Sequence, residues 1–190
     1  MKTKLPVGMS NKHIHLSQDD LNTLFGVDYQ LTKKKDLSQP GQFAAEEKVD
    51  IIGLKGTIKG VRVLGPVRKN TQVEISISDA FTLGVDAVIK NSGDITGTPG
   101  AKIVGPKGEV ELKEGVIVAA RHIHMHTDEA VEFGVKDQDI VNVKTDGFRS
   151  LVYQNVLVRV GDTHKLEMHV DIEEGNAAGL KNGDVVEIIK

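Results

Sequence analysis

The chain has 190 residues, with 24 Lys and Arg against 27 Asp and Glu, and a formal net charge of −3 with its seven histidines counted neutral. This mild acidity argues against a general nucleic-acid binder. The absence of cysteine excludes disulfides, thiolate metal sites and a thiol nucleophile. The length suits one medium domain or two small ones sharing a core.

In chain order, "MKTKLPVGM" lacks a long apolar stretch, and no run approaches the roughly 20 apolar residues that span a membrane. A cytoplasmic protein is expected. "SNKHIHLS" follows at 10–17 and reads as a strand end leading into a helix. Ser17 caps that helix over "SQDDLNTLFG", and Gly26 stops it. Lys33, Lys34 and Lys35 form the one basic run, either a solvated face or a site for a small anion. "DLSQPGQFA" at 36–44 and "NSGDITGTPG" at 91–100 read as turn-rich loops that could also present backbone donors to an anion. "EKVDIIGLKGTIKGVRVLG" reads as strand runs broken by glycine. Arg62 and Arg68 flank the way to Glu74, and on pattern alone they read as surface ion-pair residues. "TQVEISISDA" alternates, with Val73, Ile75 and Ile77 on one side and Glu74 and Ser76 on the other. Phe81 reads as core, with an interface anchor as the alternative.

The second half repeats these themes. "GVIVAARHIH" reads as a strand, then Thr127 caps a helix over "TDEAVEFG" that Gly134 stops. "DIVNVKTDG", "LVYQNVLVRVGD" and "DVVEIIK" read as further strands. The whole is mainly β, with short strands curling into barrels. "KHIHLSQDDLNTLFGV" aligns with "RHIHMHTDEAVEFGV" after one single-residue gap. His13 and His122 are 122 − 13 = 109 positions apart, as are His15 and His124. "GVKDQDIVNV" is echoed in "GLKNGDVVEI". The chain therefore reads as two similar barrel-like halves, with the boundary near "KEGVIVAA".

Alternate residues of a strand share a face, so His13 points with His15, and His122 with His124. Such imidazole pairs suit zinc or another borderline metal. If the halves face each other, four imidazoles meet. Further ligands are expected as single polar residues in apolar strands. Glu74 and His169 are the candidates, although on pattern alone Glu74 reads as a solvent-facing strand residue, and His169 shares a face with Glu167 and Asp171. His126 begins the helix and turns outward, and His164 reads as a loop residue. Asp171, Glu173 and Glu174 read as a solvated acidic turn, with ligation as the alternative.

Through "SNKHIHLS", "DLSQPGQFA", "VRVLGPVRKNTQVEIS", "NSGD", "AARHIHM" and "EMHVDIEEGNAAG", nearly the whole chain resembles the PduL-type phosphotransacylases, the phosphate propanoyltransferase family. The resemblance implies two intertwined β-barrels with short helices. It divides the chain into residues 1–11 plus 120–190 and residues 12–119. The first strand is then expected to join the C-terminal barrel. The implied reaction is acyl-CoA plus phosphate giving acyl phosphate plus CoA, with propanoyl or acetyl as the acyl group. The implied cofactors are two divalent metal ions, zinc first among them, in a dinuclear site between the barrels.

Carried over by residue, the resemblance assigns His13 and His15 to one metal. It assigns Glu74, His122, His124 and His169 to the dinuclear site, chiefly its second metal. Arg68 matches the catalytic, phosphate-binding arginine. Ser10, Lys35, Arg62, Leu64, His169 and Asn176 match positions lining the CoA site. Lys12, Lys90 and Gly175 depart from the arginine, arginine and alanine usual at their places, and no phosphate role is assigned to Lys12 or Lys90. Ser10 and His13 come too early to leave room for an N-terminal microcompartment-targeting extension. The expected partners are acyl-CoA, phosphate and acyl phosphate, with no nucleic acid, no membrane and a homodimer. The alternatives are a dinuclear metal hydrolase and a non-catalytic metal-binding protein.

Overall fold

A computed structural model describes residues 2–189, and Met1 and Lys190 lie outside the described residues. The early strands are β1 (Lys4–Ser10), β2 (His13–His15), β3 (Lys33–Asp36), β4 (Phe43–Ile52), β5 (Thr57–Gly65), β6 (Gln72–Glu74), β7 (Ile89–Lys90) and β8 (Ala101–Val104). The later ones are β9 (Glu109–Leu112), β10 (Val116–Ala119), β11 (His122–Met125), β12 (Ile140–Lys144), β13 (Val152–Val160), β14 (Glu167–Asp171) and β15 (Val185–Ile189). Among the described residues, four short helices join them: α1 (Gln18–Phe25), α2 (Ile77–Leu83), α3 (Thr127–Phe133) and α4 (Ile172–Ala178). The protein is thus mainly β.

The chain divides into two compact units. One comprises Met1–Asn11, Ser38–Pro40 and Ala120–Lys190, the other Lys12–Leu37 and Gly41–Ala119. The first is a closed barrel in the order β1-β14-β11-β13-β12-β15. It closes because β1 pairs parallel with β14 on one side and antiparallel with β15 on the other. Leu5 and Val7 of β1 enter its core beside Ile123, Met125, Val143 and Met168. The second unit is a nine-stranded curled sheet in the order β7-β10-β6-β2-β5-β4-β8-β9, with β3 on β4. Ile14, Leu24, Ile51, Val63, Val73 and Ile103 fill its core.

Both units bend their longest hairpins in one way. In β5 the buried apolar side chains are Ile58, Val61 and Val63, and in β13 they are Tyr153, Val156 and Val158. The period of two slips once in each strand, at Gly60 (φ 67°) and at Asn155 (φ 57°). Both residues lie in the left-handed region that Gly and Asn tolerate best, and both ladders show register shifts.

Several local expectations change. "TQVEISISDA" is not one strand: β6 ends at Glu74 and α2 starts at Ile77, because Ser76 and Asp79 form a reciprocal capping box. "DIEEGNAAG" is not a solvated acidic turn but helix α4, capped by Asp171 with Glu174. The N-cap of α3 is His126 rather than Thr127, since the His126 ring accepts from the Asp128 N–H. Ser17 does cap α1. Phe81 is 80 % exposed and so not core, because Ala80 and Leu83 carry the buried side of α2. Among the described residues, no helix is long and apolar enough to cross a membrane.

Candidate metal centres

In the curled sheet, β2 carries His13 and His15 on one face, both buried, with ring centroids 5.1 Å apart. β6 runs antiparallel beside it and sets Glu74 opposite His13. The carboxylate Oε2 lies 3.4 Å from His13 Nε2, and Oε1 lies 3.8 Å from His15 Nε2. Glu74 also accepts from Gln72 Nε2 (2.7 Å) and from Ser92 Oγ (2.8 Å). Ser92 in turn accepts from Arg68 Nη1 at 3.1 Å. The Arg68 backbone is pinned by its N–H donating to the Leu16 carbonyl. One chain of contacts therefore links Arg68, Ser92 and Glu74 to both histidines.

Electrostatics prepare this cluster for a cation. Burial alone would raise the Glu74 carboxyl, but the facing His13, then His15 and the Ser92 hydroxyl, hold it well below the usual carboxylate range. Burial, followed by the charges of His13 and Arg68, pushes His15 down to about 3. Near neutral pH the pocket thus holds an ionised carboxylate and an unprotonated His15 imidazole, the states that metal ligands require.

In the barrel, β11 carries His122 and His124, with Nε2 atoms 3.1 Å apart. β14 runs antiparallel beside β11 and sets His169 opposite His122. The His169 ring centroid lies 5.2 Å from that of His122 and 4.9 Å from that of His124. His122 Nδ1 lies 2.8 Å from the Ala120 carbonyl, which as its hydrogen-bond acceptor leaves Nε2 with the lone pair. Burial, then His122 and His169, pushes His124 down to about 2.

The two triads each bring three donor atoms within 4.8 Å of one another, and Glu74 falls with His13 and His15 rather than with the second pair as expected. Two nitrogens about 2.0–2.1 Å from a tetrahedral ion sit roughly 3.3–3.4 Å apart, close to the His122–His124 separation. Nδ1 of His15 and Nδ1 of His124 are buried with no hydrogen-bond partner among the described residues. Such a group costs about 1–3 kcal/mol when left unpaired. On donor type and spacing, both triads fit a zinc-like ion, one as His₂Glu and the other as His₃.

The remaining expected residues divide by unit. In the barrel, Ser10 is in register with Asp171, the residue that caps α4, and Asn176 is exposed on α4. Glu173 and Glu174 lie in the first turn of α4. In the sheet, Arg62 lies in register with His13 and donates to the Ala45 carbonyl at 2.7 Å. Leu64 is half-buried in β5, and Lys35 is exposed in β3. Lys34 pairs with Glu46 at 2.9 Å.

Sequence reasoning missed Gln72 and Ser92, which hold Glu74. It also missed Glu167 as a partner of His169 (2.6 Å), although alternation puts them on one face. Ser38 donates to Glu167, and Gln39 exchanges two hydrogen bonds with the Lys165 backbone. Ser38–Pro40 of the "DLSQPGQFA" loop thereby belong to the barrel unit. His164 lies in a loop as expected, but its ring packs on His124 with centroids 4.6 Å apart.

Known proteins match nearly the whole chain in sequence. The family model described as phosphate propanoyltransferase matches residues 6–181. A phosphate propanoyltransferase of Thermotoga maritima is 56% identical over 97% of this chain and 88% of its own length. Those of Rhodopseudomonas palustris and Clostridioides difficile are 51% and 52% identical, each over 98% of this chain and over 83% and 89% of their own lengths. With a family match across almost the entire chain and half its residues shared with these relatives, the chain belongs to the phosphate propanoyltransferase family of acyltransferases.

Proposed function

We propose that this chain interconverts a short-chain acyl-CoA plus phosphate with acyl phosphate plus CoA, propanoyl being the acyl group that its relatives' name specifies. We propose further that each triad holds one divalent ion, zinc first among the candidates, and that the two act together as one dinuclear centre. The observation that carries the reading is the Arg68–Ser92–Glu74 chain, which ties a phosphate-suited guanidinium to a metal-suited triad. Ions held there supply Lewis-acid polarisation and neutralise phosphate charge.

The side chains have separate tasks. Arg68 binds phosphate through its planar fork and offsets its charge. Ser92 keeps both Arg68 and Glu74 oriented. In the forward reaction a phosphate oxygen attacks the thioester carbonyl and forms the new C–O bond. The C–S bond breaks, and its electron pair leaves on the CoA sulfur. Holding two anionic substrates in line can contribute roughly 7–11 kcal/mol to such a step. Ser10, Lys35, Arg62, Leu64, His169 and Asn176 are proposed to bind CoA. A cytoplasmic homodimer, with the exposed Phe81 ring as an interface anchor, belongs to the same proposal.

The deciding experiment follows free thiol from propanoyl-CoA with and without phosphate, alongside metal analysis of the same sample. Thiol release that requires phosphate, with acyl phosphate as product and loss on chelation, is expected. Release that ignores phosphate would make the protein a hydrolase. No release would leave a metal-binding protein.

A further inference from the structure

Each triad is closed at one end by an ion pair of the same design. In the sheet, Lys12, which immediately precedes His13, places Nζ 2.7 Å from Asp79 Oδ1. The other oxygen, Asp79 Oδ2, accepts from the Ser76 N–H, closing the cap of α2. Ser76 lies two residues after the third donor, Glu74. In the barrel, Arg121 immediately precedes His122, and its Nη1 lies 2.5 Å from Glu174 Oε1. Glu174 Oε2 accepts from the Asp171 N–H and closes the cap of α4. Asp171 lies two residues after the third donor, His169.

One carboxylate therefore grips two points in each unit. One oxygen holds the residue that starts the His-x-His strand. The other holds the turn that follows the third ligand. Register places the same ligands in between, with His13 opposite Glu74 and His122 opposite His169. β2 and β6 are only three residues long each, so few ladder bonds fix their spacing. A short, unsupported strand pair would let the donors spread. A partly buried charge-assisted pair at its end resists that motion. Arg121 is fixed further, since its Nε donates to the Gln154 carbonyl at 2.8 Å and its guanidinium packs over Tyr153. The Tyr153 hydroxyl donates to the Glu174 carbonyl at 2.6 Å.

We infer that Lys12–Asp79 and Arg121–Glu174 are paired clamps that set the donor spacing of the two triads, making Lys12 and Arg121 positioning residues for metal binding. The inference rests on the reading that the triads hold metal. It assigns neither cation to substrate. Two cations that differ in type but occupy one place in the design are thereby explained by one task. The clamps also account for the acidic residue at the third helical position of both α2 and α4.

Cobalt(II) is a suitable probe, because its visible bands report coordination geometry and its affinity can be measured by competition with a chromogenic chelator. Lys12→Met and Arg121→Met remove the clamp cation but leave both capping boxes intact. Each is made in the full chain, beside Lys12→Arg and Arg121→Lys. To read one site at a time, the histidine pair of the other triad is replaced by alanine. Lys12→Met should weaken cobalt at His13, His15 and Glu74 by about threefold to tenfold, on the low side of the 10–100-fold typical of direct partners of a ligand. The visible band of that site should shift, the barrel site should keep its affinity, and Lys12→Arg should restore both. Arg121→Met should do the reverse, with partial rescue by Arg121→Lys. Unchanged affinity and spectrum in both Met variants would overturn the clamps and leave the metal reading standing. Equal weakening of both sites by one substitution would overturn them too, as general loosening of the fold. A parent chain that binds neither cobalt nor zinc would overturn the metal reading itself, and the clamps with it.

Discussion

The sheet and the barrel build their donor clusters on one scaffold yet give them different charge. In each, a His-x-His strand runs parallel to a bulged long strand and antiparallel to the strand that carries the third donor. In each, a seven-residue helix follows that third donor within three residues. The sheet places a carboxylate there and the barrel an imidazole. The sheet cluster therefore carries a negative charge, tied through Ser92 to Arg68. The three barrel donors are neutral when their histidines are unprotonated, and the charges beside them are Glu167, 2.6 Å from His169, and Arg159, in register with His124. Counting the three donors alone, a divalent ion would keep a net charge of about +1 on the first cluster and +2 on the second. On the proposed metal reading the same wiring would give two ions of unequal acidity, His₂Glu and His₃ both being sets that leave a position open for substrate.

The largest break in this comparison comes from the third donors. Glu74→Gln removes a donor together with the only formal charge of its cluster, while His169→Gln removes a neutral donor. Each should lower bound metal from about two ions per chain to about one. Glu74→Gln should weaken its site by more than about 100-fold, since even indirect partners of a ligand are worth about 10–100-fold. His169→Gln should cost less. Metal analysis after dialysis and competition titration check both. An equal loss from the two substitutions would mean that the charge difference between the clusters has no consequence.

The first half of this design was legible in the sequence, because it is local. His-x-His, a cap and a short helix lie within about 15 residues in each copy, and both pairs sit at one offset of 109. The second half was hidden by a change of offset. Glu74 and His169 are 169 − 74 = 95 positions apart, as are Ser76 and Asp171. The chain between the His pair and the third donor is thus 14 residues shorter in the barrel. The third donors also differ in kind, so no repeated letter marks them. Helices α2 and α4 are short, and Ile75 and Ile77 continue the alternation of β6 across the cap of α2. Periodicity therefore favours a strand where Ser76 and Asp79 fold a helix. The involvement of Ser92 and Gln72 depends on which loop returns to β6, which no local pattern carries.

Acid should act on both units at once, and so tests their likeness rather than their difference. The folded-state values of His15 and His124 lie well below the ordinary histidine value of about 6.5. Below that value the unfolded chain binds protons that the folded chain refuses, so the metal-free protein loses stability as the pH falls. Each group contributes at most about 1.4 kcal/mol per pH unit in this window. Together they should remove about 2–4 kcal/mol between pH 7 and pH 5. The Glu74 contribution is present above its unfolded value of about 4.5 and is lost only at lower pH, so it leaves this window unaffected. Urea unfolding of metal-free protein across the range checks the slope. His15→Asn and His124→Asn should each remove about half of it. A slope that survives in either variant would show that the corresponding unit does not hold its imidazole neutral.

Arg68 sharpens the contrast most selectively, because its hydrogen bond to Ser92 connects the guanidinium to the sheet cluster. Arg68→Lys keeps the charge near Glu74 but replaces a planar fork with a point donor. The backbone anchor to the Leu16 carbonyl is unaffected by the change of side chain. Hydrogen bonds to charged groups are worth roughly 1.5–3 kcal/mol, so losing one should lower phosphate-dependent efficiency by about tenfold to a hundredfold. Glu74 keeps its contacts with Gln72 and both histidines, so metal content should stay at the parent level. The affinity for acyl-CoA should also stay, since Arg68 is assigned to phosphate alone. The measurement is the initial rate against phosphate concentration at saturating propanoyl-CoA, with metal analysis of the same sample. Loss of metal in Arg68→Lys would make the arginine a support of the triad. Parent-like phosphate dependence would remove it from substrate binding, and with it the functional difference between the sheet and the barrel.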